Sequence, residues 1–138
     1  MNILCKRIDK EAKLPTRKHV TDAGIDVYAL ADVTIGPQFH MVVRTGVTFD
    51  FPDDTVALVW PKSRAPFLIG AGVIDYTYQG EILVKVFNVG TGPLIISKHD
   101  PIAQLVITPV LTPHIVEVDE IHHIKSQRGE TGGIVNQT

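Results

Sequence analysis

Cysteine is nearly absent from this 138-residue chain: Cys5 is alone, so no internal disulfide exists and no C-x-x-C pair offers a zinc ribbon. A reducing compartment fits that usage. There is also no apolar run long enough to cross a bilayer, and Lys6 and Arg7 interrupt the first residues before the apolar core of a leader forms. The expectation is a soluble, cytoplasmic chain, or one in the nucleus or host cytosol if its source is eukaryotic or viral. Charge of one sign is lacking too. A formal net charge of -2 argues against a bulk duplex binder, which needs basic surface to neutralise phosphates. An anionic ligand must therefore meet a local cluster of donors. The six histidines show no H-x-x-x-H spacing, and the neighbours His122 and His123 would point to opposite faces of a strand. Neither a G-x-S-x-G elbow nor a G-x-G-x-x-G turn after a strand is found.

No stretch sustains a helical period over the ten or more residues a helix needs, and nine prolines are spread along the chain. What is present is a series of short β-rich runs between Gly, Pro and Asp: NILCKRI, VTI, HMVVRTGVTFDF, TVALVW, EILVKVFNV, PLIIS, PIAQLVITPV and HIVEV. These runs predict one all-β barrel or sandwich, large enough to bury a core without disulfides or a structural metal. In EILVKVFN, Ile82, Val84 and Val86 alternate with Leu83, Lys85 and Phe87, so both faces are largely apolar. Burial on both sides implies a second subunit as well as the core. The last residues, KSQRGETGGIVNQT, are polar and glycine-rich, which reads as an arm.

Five segments hold residues that can do chemistry. TDAGIDVYA puts Asp22 and Asp26 on either side of Gly24, either as a turn or as oxygen ligands for a hydrated Mg²⁺. WPKSRAPF brings Lys62, Ser63 and Arg64 together, a solvated loop or a phosphate cradle of two cations, a hydroxyl and backbone N–H groups. GAGVIDYTYQGEI places Asp75 between an apolar dipeptide and two tyrosines, where a carboxylate finds a partner, stays protonated or acts as a base; a hairpin turn is the simpler reading. In HDPIAQLVI the amide of Gln104 needs hydrogen-bond partners, from backbone or from a ligand. RGETGG joins Arg128 to glycines whose N–H groups can wrap phosphates; it is not a P-loop, and a disordered tail has the same composition.

Taken in order, DAGIDVYA, PKSR, GVIDYTYQGEI, IAQLV and RGETGG resemble the five motifs of the homotrimeric dUTPase family, the deoxyuridine 5'-triphosphate nucleotidohydrolases. KLPTR, RTGVTFDFP and VFNVG between them are similar to that family as well, so the likeness covers nearly the whole chain. The resemblance implies a jelly-roll-like distorted β-barrel over residues 1–124 and an arm over 125–138 that closes on the nucleotide. It further implies a homotrimer with shared sites and Mg²⁺-dependent hydrolysis of dUTP to dUMP and pyrophosphate. On that likeness Asp75 holds and deprotonates the attacking water. Tyr78 packs on the deoxyribose and excludes a 2'-hydroxyl. Gly70 to Ile74, with Gly72, Val73 and Ile74, forms a hairpin whose backbone pairs with the uracil edge. Asp26 anchors the waters of Mg²⁺, Lys62, Ser63 and Arg64 meet the phosphates, and Gln104 contacts the α-phosphate. Arg128 holds the γ-phosphate, while Gly132, Gly133 and Ile134 belong to the closing arm.

The chain departs from the family pattern in places. Lys62-Ser63-Arg64 stands where Arg-Ser-Ser or Arg-Ser-Gly is usual, and lysine does not reproduce a bidentate guanidinium contact. The stretch from Ser63 to Gly72 is short, which trims a helix. Pro101 replaces a frequent arginine, Thr131 reads as an insertion, and Ile134 takes the place of an aromatic residue over uracil, a loss of roughly 1–3 kcal/mol of stacking. Two other readings follow. A dCTP deaminase of the same fold needs a glutamate where Lys85 stands. A nucleotide-binding regulatory module with weak hydrolysis would tolerate the odd second and fifth motifs.

Overall fold

The computed structural model describes residues 1–122 and contains eleven strands and, among these residues, no helix. The strands are β1 (Leu4–Arg7), β2 (Gly24–Tyr28), β3 (Val33–Ile35), β4 (His40–Arg44), β5 (Val47–Asp50), β6 (Thr55–Trp60), β7 (Leu68–Ile69), β8 (Gly72–Asp75), β9 (Leu83–Phe87), β10 (Leu94–Ile96) and β11 (Pro101–Pro109). They form a four-stranded sheet in the order β2-β11-β6-β8, a three-stranded sheet β4-β9-β7, and the pairs β1-β5 and β10-β3. Every pairing is antiparallel. The result is the expected jelly-roll-like, all-β architecture. The boundary at 124/125 and the arm lie outside the described residues.

Alternation decides which side chains enter the core. Ile82, Val84 and Val86 are buried, whereas Leu83 and Lys85 are exposed and Phe87 is half-buried. One face of β9 is thus covered by its own chain, and the second apolar face is not. Strand β11 buries Ile102, Ala103 and Leu105 completely. Two neighbours in sequence, Ile102 and Ala103, both reach the core because the register against β2 shifts between Pro101 and Ala103, a bulge that re-aims the strand. The same bulge sets which residues of β11 point outward beyond it.

At the turn between β4 and β5, Gly46 has φ +72, and a Cβ there would lie 2.8 Å from Ala12 Cβ and 2.9 Å from Leu30 Cδ1. Only glycine fits. Its N–H donates to Glu81 Oε2 at 3.0 Å, and the Arg44 guanidinium forks onto the same carboxylate, with Nη2 3.0 Å from Oε1. The hydrogen bonds from Arg44 to Glu81, and the charge of Glu81, raise the Arg44 pKa above its ordinary value. The carboxylate ties the β4–β5 turn to the segment that leads into β9.

HIVEV (114–118), expected as a strand, belongs to no ladder. Ile115 is 99% exposed, and Leu111, Val116 and Ile121 are also open to solvent. A strand forms only against an available edge, and this stretch pairs with none among the described residues.

Replacing Leu105, fully buried at the centre of the four-stranded sheet, with alanine removes packing from both layers. Leu105→Ala is expected to cost about 2–5 kcal/mol in chemical denaturation; a loss below about 1 kcal/mol would mean that β11 is not the core strand.

Candidate functional site

Three strands bring the first, second and fourth motifs together. Gln104 on β11 faces Asp26 on β2 and Trp60 on β6. Residues directly opposite share a face, so Asp26, Gln104 and Trp60 form a row on the outside of the sheet while Val27, Val59 and Leu105 fill the inside. Pro61 then ends β6. A turn follows in which the Ala65 N–H donates to the Lys62 carbonyl at 3.2 Å, and it leaves Ser63 and Arg64 exposed. Lys62 reaches back over the row, and its Nζ lies 2.6 Å from Asp26 Oδ1. The two side chains are 31% and 17% exposed, so water screens the pair only in part.

Gln104 is held from two sides. Its Nε2 donates to the Pro61 carbonyl at 3.0 Å, and its amide lies against Gly24, where a Cβ would come within 1.9 Å of Oε1. The glycine of the first motif therefore makes room for the glutamine of the fourth. Lys62 and Arg64 also border a cavity of about 260 Å³, closed on other sides by Phe67, Ile96, Asp100 and Pro101.

The third motif lies elsewhere. The expected hairpin over Gly70–Ile74 is not self-paired: β7 joins β9, and β8 joins β6 in the other sheet. Gly70 and Ala71 carry the chain from one layer to the other, because the short apolar pair Leu68-Ile69 finds its edge on β9. Strand β8 is left at the edge of its sheet, so alternate N–H and C=O groups of Gly72, Val73 and Ile74 point away from β6. Asp75 ends this strand and is exposed. Beyond it the Tyr78 N–H donates to the Asp75 carbonyl at 3.0 Å, and Tyr78 Oη donates to the Glu81 carbonyl at 2.7 Å. The ring rests on Gly80, where a Cβ would meet Tyr78 Oη at 2.4 Å. Tyr76 and Tyr78 line a polar cavity of about 370 Å³ with Asp50, Asp53 and Gln79.

Asp75 pairs with Val56, at the opposite end of β6 from Trp60. Four residues along the strand and three inter-strand spacings separate Asp75 from Asp26, roughly 20 Å in all. One chain therefore does not bring Asp75 and Tyr78 to Asp26, Lys62, Ser63 and Gln104. Arg128, Gly132, Gly133 and Ile134 lie outside the described residues. Sequence reasoning missed the Lys62–Asp26 pair, the Pro61 carbonyl and the placement of Trp60. Only the glycine two residues before Asp26 signalled close packing there.

Residues 10–134 match the family model described as dUTPase. The chain belongs to the dUTPase family. It is 38% identical over 137 residues to the deoxyuridine 5'-triphosphate nucleotidohydrolase of Alkaliphilus metalliredigens, covering 95% of this chain and 94% of that one. It is 39% identical over 134 residues to the enzyme of the same name from Corynebacterium jeikeium, covering 91% and 86%. Among solved structures it is similar to the dUTPase of Staphylococcus bacteriophage 80alpha with dUpNHpp, with a TM-score of 0.88, 29% identity and 96% of each chain covered. A mutant dUTPase from phage phi11 of S. aureus, described with a structural Mg(II) ion, gives a TM-score of 0.84 at 25% identity and covers 89% and 100%.

In this dUTPase, Gly24→Ala is expected to force Gln104 off the Pro61 carbonyl and to destabilise the fold by about 1–2 kcal/mol. Adding Gln104→Ala should recover most of that loss in a denaturant double-mutant cycle. Additive losses would show that the two residues do not touch.

Proposed function

We propose that this dUTPase hydrolyses dUTP to dUMP and pyrophosphate, with the phosphates held where Lys62 reaches over Asp26 and Gln104 and the attacking water held by Asp75. One observation supports this above the others. Residues from three segments far apart in sequence converge, Asp26 and Gln104 side by side on the sheet and Lys62 reaching over them from an exposed turn that carries Ser63 and Arg64. Cations, an amide and a hydroxyl in one place suit a polyphosphate.

Mg²⁺ fits this donor set. No group of three or more His, Cys, Asp or Glu side chains is gathered among the described residues. A single carboxylate, Asp26, beside a polyphosphate suits an ion that keeps its waters and takes further oxygens from substrate phosphates. Asp26 would hold it through water. When bound, it supplies positive charge against the charge developing on the phosphates.

The protein's own groups do the rest. Exposed on the sheet edge, Asp75 orients a water and takes its proton as the new bond forms to the α-phosphorus. The bond from that phosphorus to the bridging oxygen breaks, and pyrophosphate leaves. Ser63 donates to the bridging oxygen, Gln104 to the α-phosphate, and Arg64 and Lys62 add positive charge. The outward N–H and C=O groups of Gly72 to Ile74 match a uracil edge. The Tyr78 ring, fixed by Glu81 and Gly80, offers a flat wall to the deoxyribose. Arg128, Gly132, Gly133 and Ile134 are assigned to closure of the site by family likeness alone. Deamination of dCTP finds no carboxyl at Lys85, which is exposed opposite Val42 on β4.

The roughly 20 Å between Asp75 and Asp26 implies that a second copy completes the site, in keeping with a homotrimer. The uncovered side chains of Leu111, Ile115, Val116 and Ile121, and the open apolar face of β9, support the same assembly.

Asp75→Asn is expected to lower pyrophosphate release from dUTP by about 100-fold or more while dUTP still binds. Release should require Mg²⁺, stop with a chelator, and be absent with dCTP and UTP. Unchanged turnover in Asp75→Asn would remove the base from its assigned role; binding without release in the unaltered protein would favour the regulatory module.

A further inference from the structure

The Lys62–Asp26 pair joins a group rooted in the sheet to one rooted in a turn. Asp26 sits within a ladder: its backbone pairs with β11 on one side and exchanges two hydrogen bonds with Thr16 on the other, at 2.7 and 3.1 Å. Lys62 lies outside the sheet, at the first position of an exposed turn, on a flexible four-carbon stem beside the 260 Å³ cavity. The carboxylate springs from a backbone fixed in the ladder, and the ammonium reaches it on a long stem from outside the sheet.

We infer that Lys62 is the resident cation of Asp26, occupying the carboxylate while nucleotide is absent and moving to the polyphosphate when nucleotide arrives, so that divalent-cation binding at Asp26 is coupled to nucleotide binding. This rests on the assignment of Asp26 and Lys62 proposed above and says how the two act together. With the ammonium 2.6 Å from Oδ1, a hydrated divalent cation brought to the same carboxylate meets a like charge in a partly shielded place. A polyphosphate carries more negative charge than one carboxylate and draws the ammonium away. The carboxylate is then open to the waters of the cation, and the coupling is reciprocal. Lysine suits an exchange of this kind. A guanidinium, with five donors in a rigid fork, can hold carboxylate and phosphate together and need not let go.

The test uses Mn²⁺ as probe and paramagnetic broadening of the Gly24 and Gln104 backbone amide signals as readout, in the full-length protein and in Lys62→Met. Without nucleotide, Lys62→Met should reach half-broadening at a Mn²⁺ concentration about tenfold lower than the unaltered protein. Asp26→Asn added to Lys62→Met should erase that gain. With a saturating, non-hydrolysable imido analogue of dUTP the two proteins should become alike, because Lys62 has left Asp26 in one and is missing in the other. Lys62→Arg, which keeps a cation on Asp26, should stay like the unaltered protein when nucleotide is absent. Equal broadening without nucleotide, or a difference that persists with the analogue, overturns the inference while analogue binding, seen as amide shifts, still supports the substrate assignment. No amide shifts on adding the analogue would defeat that assignment and the inference with it.

Discussion

The register of β11 between β2 and β6 is the constraint from which the site follows. Gln104 stands opposite both Asp26 and Trp60, and this pairing alone brings three distant segments to one outward row. A slip of one residue would turn Gln104 into the core and Ala103 and Leu105 out of it. Burial of Ile102, Ala103 and Leu105 opposes that slip, as does the bulge between Pro101 and Ala103. The hydrophobic effect that closes the core thus also sets the outward row of Asp26, Gln104 and Trp60. Gly24 completes the arrangement by leaving space for the glutamine amide.

The same topology keeps the rest of the chemistry away. Strand β8 ends the sheet, and its pairing with β6 puts Asp75 beside Val56 rather than near Trp60. An edge strand with open backbone groups suits recognition of a flat polar ligand, and it is an unfinished surface in a lone chain. Apolar residues between 111 and 121, exposed despite strand-like sequence, are unfinished in the same sense. Both features accord with the proposed assembly, in which oligomeric state and catalysis are one question.

Much of the fold was legible from local pattern. Alternation in EILVKVFN grouped Ile82, Val84 and Val86 on one face without telling which of its two faces meets the core; that face is the buried one, and the spread of prolines agrees with the lack of helix among the described residues. Pairing was not legible. GVID reads as one arm of a hairpin because glycines flank it, yet its partner is β6, chosen by long-range packing that local turn chemistry does not encode. HIVEV has the composition of a strand and pairs with no edge among the described residues, and pairing of that kind is not written in a single segment. At the site, the types and positions of Asp26, Lys62 and Gln104 were readable, whereas the lysine ammonium meeting the aspartate depends on a cross-strand register that no single segment carries.

Complementation between two defective chains tests most directly whether two copies build one site. Asp75→Asn and Asp26→Asn chains, each expected to be inactive alone, would be unfolded together in equal amounts and refolded as a mixture. A site that takes Asp75 from one copy and Asp26 from another predicts that pyrophosphate release from dUTP returns to about a quarter of the unaltered rate, as random assembly into trimers leaves that share of sites intact. A mixture that stays as inactive as its components would contradict the account and place both aspartates of each site in one chain.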